Sequence, residues 1–258
     1  MRIVVKVGTS TLAHETGKLN IKRTDALCRV LSDLKNAGHE VVLVSSGAIG
    51  MGVGKLGLKE KPKDIPTKQA AAAVGQCELM YFYDRIFTEY GHTVAQILLT
   101  GSDFTAEDRH ENFNNTITRL LALDALPVIN ENDTIATEEI KVGDNDTLSA
   151  LVAVSVGADV LVILSDVNGL YSADPHKNTG AELIERVHGM PEWIFSLAGG
   201  EGSALGTGGM KTKLHAAKIC TEQGCDTVIA NGENPEILYD IIENRQKGCT
   251  RFFAEGKA

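Results

Sequence analysis

The sequence predicts an α/β protein: a three-layer αβα sandwich around a mostly parallel open sheet, with small β-hairpins. Three observations predict it. Short, nearly continuous apolar runs recur at 3–7, 40–44, 93–99, 126–129, 160–164 and 227–230, the pattern of strands buried on both faces. Segments with helical spacing fill the intervals, and that alternation gives parallel sheets covered by helices. Several strands end in small or polar residues, at Gly8-Thr9-Ser10, Ser45-Ser46-Gly47, Asn130-Glu131-Asn132-Asp133 and Ser165-Asp166. Open α/β sheets bind their ligands at such carboxyl ends.

The 258 residues suffice for one large domain or two small lobes with ample core. A net charge of −9 argues against a nucleic-acid binder that works by broad phosphate neutralisation. It also means that an anionic ligand must be met by a few placed lysines and backbone N–H groups. No apolar run reaches the length of a membrane span, and Lys6 interrupts the first strand, so neither a membrane helix nor a signal peptide fits. The cysteines at 28, 77, 220, 225 and 249 are odd in number and form no Cys-x-x-Cys pair, as expected of reduced thiols in a cytoplasmic protein.

In chain order, Ile3, Val4, Val5 and Val7 make the first strand, with Lys6 inside it just before Gly8. A lysine in a buried strand is costly unless an anion meets it, or unless the strand is an edge from which it snorkels to water. A helix follows with Leu27, Val30, Leu31 and Leu34 on one face and Gly38 as its stop. The strand at 40–44 leads into Ser45-Ser46-Gly47-Ala48, where small residues admit a ligand to the backbone and a serine serves equally as an N-cap. Gly52-x-Gly54-x-x-Gly57 matches the dinucleotide pattern but lies beyond the strand's first turn, with no acidic residue ending a following strand. It reads as a flexible glycine-rich segment, and no Walker A loop is present.

The helix at 67–90 carries Leu79, Phe82, Tyr83, Ile86, Phe87 and Tyr90 in one stripe, a core face of which part suits a subunit contact. A homo-oligomer is therefore expected. Phe113, Ile117, Leu120 and Leu121 mark the next helix. The strand at 126–129 ends in a polar cluster, and residues 135–142 alternate as a small hairpin. Asp146 then opens a helix through 158, either as a plain N-cap or as part of a cluster with Asn132, Asp133, Asp144 and Asn145. Carboxylates gathered so closely repel unless cations join them. Asp144-x-Asp146 lacks the later ligands of a calcium loop.

The strand at 160–164 ends in Ser165-Asp166 and the turn Gly169-Leu170-Tyr171. Residues 173–181 read as a loop and 182–200 as less regular. Gly206-Thr207-Gly208-Gly209-Met210-Lys211-Thr212-Lys213 then opens a helix. Lys211 and Lys213 in its first turn oppose the helix dipole by about 0.3–1 kcal/mol each. With the glycines and free N–H groups they form an anion site, unless the loop simply holds solvated lysines. A strand at 227–230, a helix at 235–244 and a strand at 250–253 close the chain.

Two anion sites on either side of an acidic, amide-rich hairpin suit phosphoryl transfer, where positioned cations reduce an electrostatic obstacle. No Ser-His-Asp or Cys-His set has usable spacing. The seven histidines are dispersed without a His-Glu-x-x-His, which argues against a zinc hydrolase.

Taken in order, Val5-Lys6-Val7-Gly8-Thr9-Ser10, Val44-Ser45-Ser46-Gly47-Ala48, Ile129-Asn130-Glu131-Asn132-Asp133, Val142-Gly143-Asp144-Asn145-Asp146, Ser165-Asp166 with Gly169-Leu170-Tyr171, and 206–213 resemble the amino acid kinase family. The resemblance runs the length of the chain. It implies one domain over 1–258, with an amino-acid-binding lobe at about 1–146, an ATP-binding lobe at about 147–258 and no room for the C-terminal PUA domain of many members. It further implies ATP- and Mg²⁺-dependent phosphorylation of the γ-carboxylate of L-glutamate, the opening step of proline biosynthesis. Lys6 and Lys213 would embrace the transferring phosphoryl group and Asp146 would orient both. Asp133 would take the α-ammonium of glutamate, and Asn145 and Ser46 a carboxylate. Ser165, Asp166, Thr207, Gly208, Gly209, Met210, Lys211, Thr212 and Lys213, with Lys6, would line the ATP site. Mg²⁺ would sit mainly on the phosphates, without a protein cage. Proline is an expected feedback inhibitor near Asp144 and Asn145. The alternatives are a relative acting on N-acetylglutamate or aspartate, and a non-catalytic nucleotide or amino-acid sensor. Recognition of a free α-ammonium by Asp133 speaks against the acetylated substrate, and two lysines kept with Asp146 speak against a sensor.

Overall fold

The computed structural model describes residues 1–14, 16, 18–135, 145–175, 177–198, 209–245 and 247–255. Ile3, Val4, Val5 and Val7 have no polar side to offer, and all four are fully buried in β1 (Arg2–Val7). That burial requires neighbours on both edges. β1 pairs in parallel with β2 (Glu40–Ser45) on one side and β5 (Val160–Ser165) on the other, with Val5 opposite Leu43 and Val162. β3 (Val94–Leu99), β4 (Leu126–Glu131), β6 (Arg186–His188), β7 (Asp226–Asn231) and β8 (Thr250–Phe253) complete the order β3-β4-β2-β1-β5-β7-β8-β6. Among the strand pairs of the described residues, only β7–β8 is antiparallel. The chain builds outward from β1 in one direction and later returns to its other edge. The strand order thus reverses at β1, the position at which open α/β sheets bind ligands outside the carboxyl ends of their strands. Lys6 is on an interior strand, which removes the edge-strand explanation for it.

The period of two along β1 sorts its side chains between two helical layers. Ile3, Val5 and Val7 pack with α2 (Ile21–Asn36), α4 (Ile65–Glu89) and α9 (Ile237–Ile242). Val4 faces the other way, toward α5 (Glu107–Ala122), α6 (Asn145–Ser155) and α8 (Met210–Thr221). Lys6 falls on Val4's face, so the sheet itself aims it at α6 and α8. The α4 stripe serves the chain's own core: Leu79, Tyr83, Ile86 and Phe87 are buried in it, with Phe82 and Tyr90 packed at its margin. The expected homo-oligomer draws no support from that stripe.

Two expectations need correction. The glycines at 52, 54 and 57 do not make a flexible segment. They belong to or end α3 (Ala48–Leu56), a helix pressed against α4. A Cβ on Gly52 would stand 1.8 Å from the Ala71 carbonyl oxygen, and one on Gly75 would stand 1.8 Å from that of Ala48. Ala48 and Gly52 on one helix meet Ala71 and Gly75 on the other, so the backbones themselves are in contact. The described part of 182–200, up to residue 198, contains more order than periodicity reveals: β6 and α7 (Trp193–Leu197) pack on Leu170, Leu214, Ile229 and Phe252 in a satellite core. A short helix, α1 (Thr9–Leu12), also follows β1 directly. Ile135 is an exposed turn residue, and the rest of the hairpin expected at 135–142 lies outside the described residues, as do Asp144, Thr207 and Gly208.

Candidate active site

Three side chains from distant parts of the sequence meet at the carboxyl end of β1. Lys6 comes from the end of β1, Asp146 from the first turn of α6 and Lys213 from the first turn of α8. Lys6 Nζ lies 2.7 Å from Asp146 Oδ1, and Lys213 Nζ lies 3.1 Å from Asp146 Oδ2. Thr212 Oγ1 is 2.8 Å from that second oxygen, as a donor. All three charged residues are buried, Asp146 to 1% exposure. Burial alone would raise the Asp146 carboxyl, but the Lys6 and Lys213 ammonium groups, with hydrogen bonds from Lys6 and Thr212, hold it well below the usual carboxylate range. Two ammonium groups against one carboxylate leave a formal charge of +1. Such a site is made for an anion.

The sign of that depression has a consequence for stability. A carboxyl lowered in the folded state contributes stability above its unfolded value near 3.8, and loses it as pH falls through the lower folded value. The difference in unfolding free energy between the wild type and Asp146→Asn is expected to stay level from about pH 8 to pH 5 and to shrink below about pH 4. Urea titrations across that range check it. A difference that changes between about pH 6 and 8 would assign the coupling to another group.

Beside the ammonium clamp lies a cluster of amides. Asn145, adjacent in sequence to Asp146, directs its Nδ2 to the Ser45 carbonyl at 3.1 Å, to Ser46 Oγ at 2.8 Å and to Asn130 Oδ1 at 3.0 Å. Asn130, at the end of β4, donates in turn to Gln76 Oε1 of α4 at 2.8 Å. Asn145 Oδ1 and Gln76 Nε2 are buried without a hydrogen-bond partner among the described residues. A buried orphan of this kind costs about 1–3 kcal/mol, which at Asn145 Oδ1 a ligand offering a donor removes. Asn130 belongs to the Ile129-Asn130-Glu131-Asn132-Asp133 motif. Gln76 was missed altogether, although its spacing carries a signal: it sits on the helical face of Ala72, Leu79 and Tyr83, all buried and otherwise apolar.

The remaining expected residues are placed less centrally. Asp133 occupies the half-buried turn after β4. Ser165 is buried at the end of β5 and donates to Asp166 Oδ1 at 3.1 Å, while Asp166 is exposed. Gly209 caps α8 and Met210 is half-buried behind it. Lys211 and Lys213 part company: two residues on a helix are roughly 200° apart, so Lys213 turns inward and Lys211 faces solvent. Both oxygens of Asp146 are engaged by cations, which leaves it unsuited as a metal ligand. No group of three or more His, Cys, Asp or Glu that could hold a metal gathers among the described residues. No helix among them is long and apolar enough to cross a membrane. The cysteines are free, four of them buried and Cys77 exposed.

The sequence matches the model of the amino acid kinase family over residues 1–231. It is 56% identical over 246 residues to a glutamate 5-kinase of Clostridium tetani, covering 95% of this chain and 92% of that protein. It is 52% identical over 258 residues to a glutamate 5-kinase of Clostridium perfringens, covering 98% and 96%. The fold is similar to a crystallised carbamate kinase from Giardia lamblia bound to AMP-PNP, with a TM-score of 0.67, 14% identity and 98% of each chain covered.

Proposed function

This chain belongs to the amino acid kinase family, and from that membership we infer that it transfers the γ-phosphoryl group of ATP to the γ-carboxylate of L-glutamate. The products are L-glutamyl 5-phosphate and ADP, and the reaction is the first step of proline biosynthesis. The observation that carries this reading is identity above one half to glutamate 5-kinases, along nearly the whole of both chains.

The chemistry suits the clamp. A side-chain carboxylate with a pKa of about 4.3 is already ionised at neutral pH, so the nucleophile needs no general base. One of its oxygens forms a bond to the γ-phosphorus as the bond from that phosphorus to the ADP oxygen breaks. No proton changes hands. The obstacle is the approach of an anion to an anion, and cations aimed at the transferring group reduce it. Lys6 and Lys213 supply those cations, and Asp146 holds both in place. Ser46, Asp133 and Asn145 hold glutamate in the lobe up to about 146. Ser165, Asp166 and residues 207–213 line the ATP position in the lobe after it. Mg²⁺ would enter with ATP and supply positive charge at its phosphates; the pairing of both Asp146 oxygens with Lys6 and Lys213 supports that assignment over a protein-held ion. Proline, as the pathway's end product and itself an α-amino acid, competes for the glutamate position. The use of ATP supports a cytoplasmic location.

The test is hydroxylamine trapping of the acyl phosphate, run with ATP against L-glutamate, L-aspartate and N-acetyl-L-glutamate. Hydroxamate is expected from glutamate alone at substantial rate. Turnover of another acid in its place would overturn the substrate assignment.

A further inference from the structure

Three carboxamides run in series from α4 to Asn145, next to Asp146, and two main-chain groups identify which atom of each amide is the oxygen and which the nitrogen. The Ser45 carbonyl accepts only, so the amide of Asn145 must turn its Nδ2 toward it. The Glu131 N–H donates only, at 2.9 Å to Asn130 Oδ1, the same oxygen that Asn145 Nδ2 approaches. Asn130 is thereby oriented as well, and its Nδ2 is committed to Gln76 Oε1. The oxygen of Asn145 is left over at the substrate end of the series, buried and unpartnered among the described residues.

We propose that Gln76 is a positioning residue for the amino-acid substrate. Its carbonyl oxygen holds Asn130, Asn130 holds Asn145, and Asn145 is kept with its own oxygen presented to the ligand. This rests on the reading of the chain as a glutamate kinase. An amide oxygen accepts hydrogen and repels carboxylate oxygens, so the substrate group that meets it is the α-ammonium. That differs from the carboxylate contact which the family resemblance implies for Asn145; Ser46, whose Oγ accepts from Asn145, keeps its own hydroxyl hydrogen for a carboxylate. The placement of Gln76 is itself built in. The preceding Gly75 allows α4 to lie backbone to backbone against Ala48, and Gln76 reaches Asn130 from there.

Steady-state kinetics on the full chain, with glutamate and ATP varied separately, test the proposal. Gln76→Met is close in volume and offers Asn130 no acceptor of comparable strength. It is expected to raise the KM for glutamate about tenfold, with kcat and the KM for ATP within about threefold of wild type. Gln76→Glu keeps an oxygen facing Asn130 in either protonation state, and is expected to bring the glutamate KM back to within about threefold. In an Asn145→Ala background, Gln76→Met is expected to add nothing, because the two residues act in one series. Should Gln76→Met fail to fold, Gln76→Asn, one methylene short of Asn130, takes its place with the same expectation. A wild-type glutamate KM in that variant overturns the proposal. So does an equal rise in both KM values, or full additivity with Asn145→Ala. A Gln76→Glu more damaging than Gln76→Met also overturns it, because Gln76 Nε2 would then be contacting a substrate carboxylate directly. Failure of the wild type to phosphorylate glutamate would sink the function and this inference together, whereas every other outcome leaves the function standing.

Discussion

Lys213→Ala is expected to lower kcat by about a hundredfold to a thousandfold while the KM for glutamate stays within about threefold. Lys6→Ala should behave in the same way. The reason lies in where each charge sits. Both ammonium groups are held on one carboxylate, at 2.7 and 3.1 Å, and neither is among the amides that surround Asn145. An interaction that strengthens only as charge redistributes around the travelling phosphoryl group appears in kcat and not in ground-state binding. Stability provides an independent check. Removing one ammonium leaves a neutral buried pair in place of a formal +1, so little electrostatic stability is lost. The melting temperature of Lys213→Ala is expected within a few degrees of wild type, unlike Asp146→Ala, which strands two buried cations. A near-normal kcat in both lysine variants would remove their assigned role. Lys213→Arg is not expected to rescue fully, because a planar guanidinium does not replace a compact point charge in a buried niche.

Gly75→Ala is expected to destabilise the protein by about 3 kcal/mol or more, at or beyond the upper end for overpacking a core. The added methyl would stand 1.8 Å from the Ala48 carbonyl oxygen and 2.4 Å from the Gly52 nitrogen, both of them backbone atoms that no side-chain rotation relieves. The helices must separate. For a domain of this size the loss corresponds to a fall of roughly 6–12 °C in melting temperature. Gly180→Ala makes a fitting control: its nearest neighbour, the tip of the Asn178 side chain, would be 3.4 Å away, and near-neutral stability is expected. Denaturant unfolding of both variants checks this. A Gly75→Ala melting with the wild type would mean that α3 and α4 are not in backbone contact in solution. Whatever folded Gly75→Ala is recovered is also expected to bind glutamate less well, since a displaced α4 withdraws Gln76 from Asn130.

Much of the sheet was legible in the chain because central parallel strands are apolar on both faces and announce themselves without any knowledge of their neighbours. Lys6 was legible for the converse reason, as a charge in the one place where a charge is expensive. The glycines and misplaced lysines of the 206–213 stretch suggest an anion site, yet nothing in their spacing says that Lys213 turns inward and Lys211 outward. That depends on which face of α8 is covered by α6 and the sheet.

Glycine was the least readable residue. At Gly52 and Gly75 the same lack of a side chain that suggests a loose segment instead admits a second backbone, and the partner residues, Ala71 and Ala48, come from a different helix. Gln76 was hidden for a related reason. A single amide in an apolar stripe is uninformative until Asn130 is seen to stand opposite it, and Asn130 comes from a strand 54 residues further on. The amino-acid order alone therefore determined the α/β class, the positions of most strands and helices, and the kinds of groups at the strand ends, since those follow from local periodicity and the cost of burying charge. Only the tertiary structure decided that Lys6 and Lys213 share the two oxygens of one carboxylate and that Gln76 is joined through Asn130 to Asn145. Which distant side chains meet is settled by the order and register of strands around β1, and no local property of the chain encodes that.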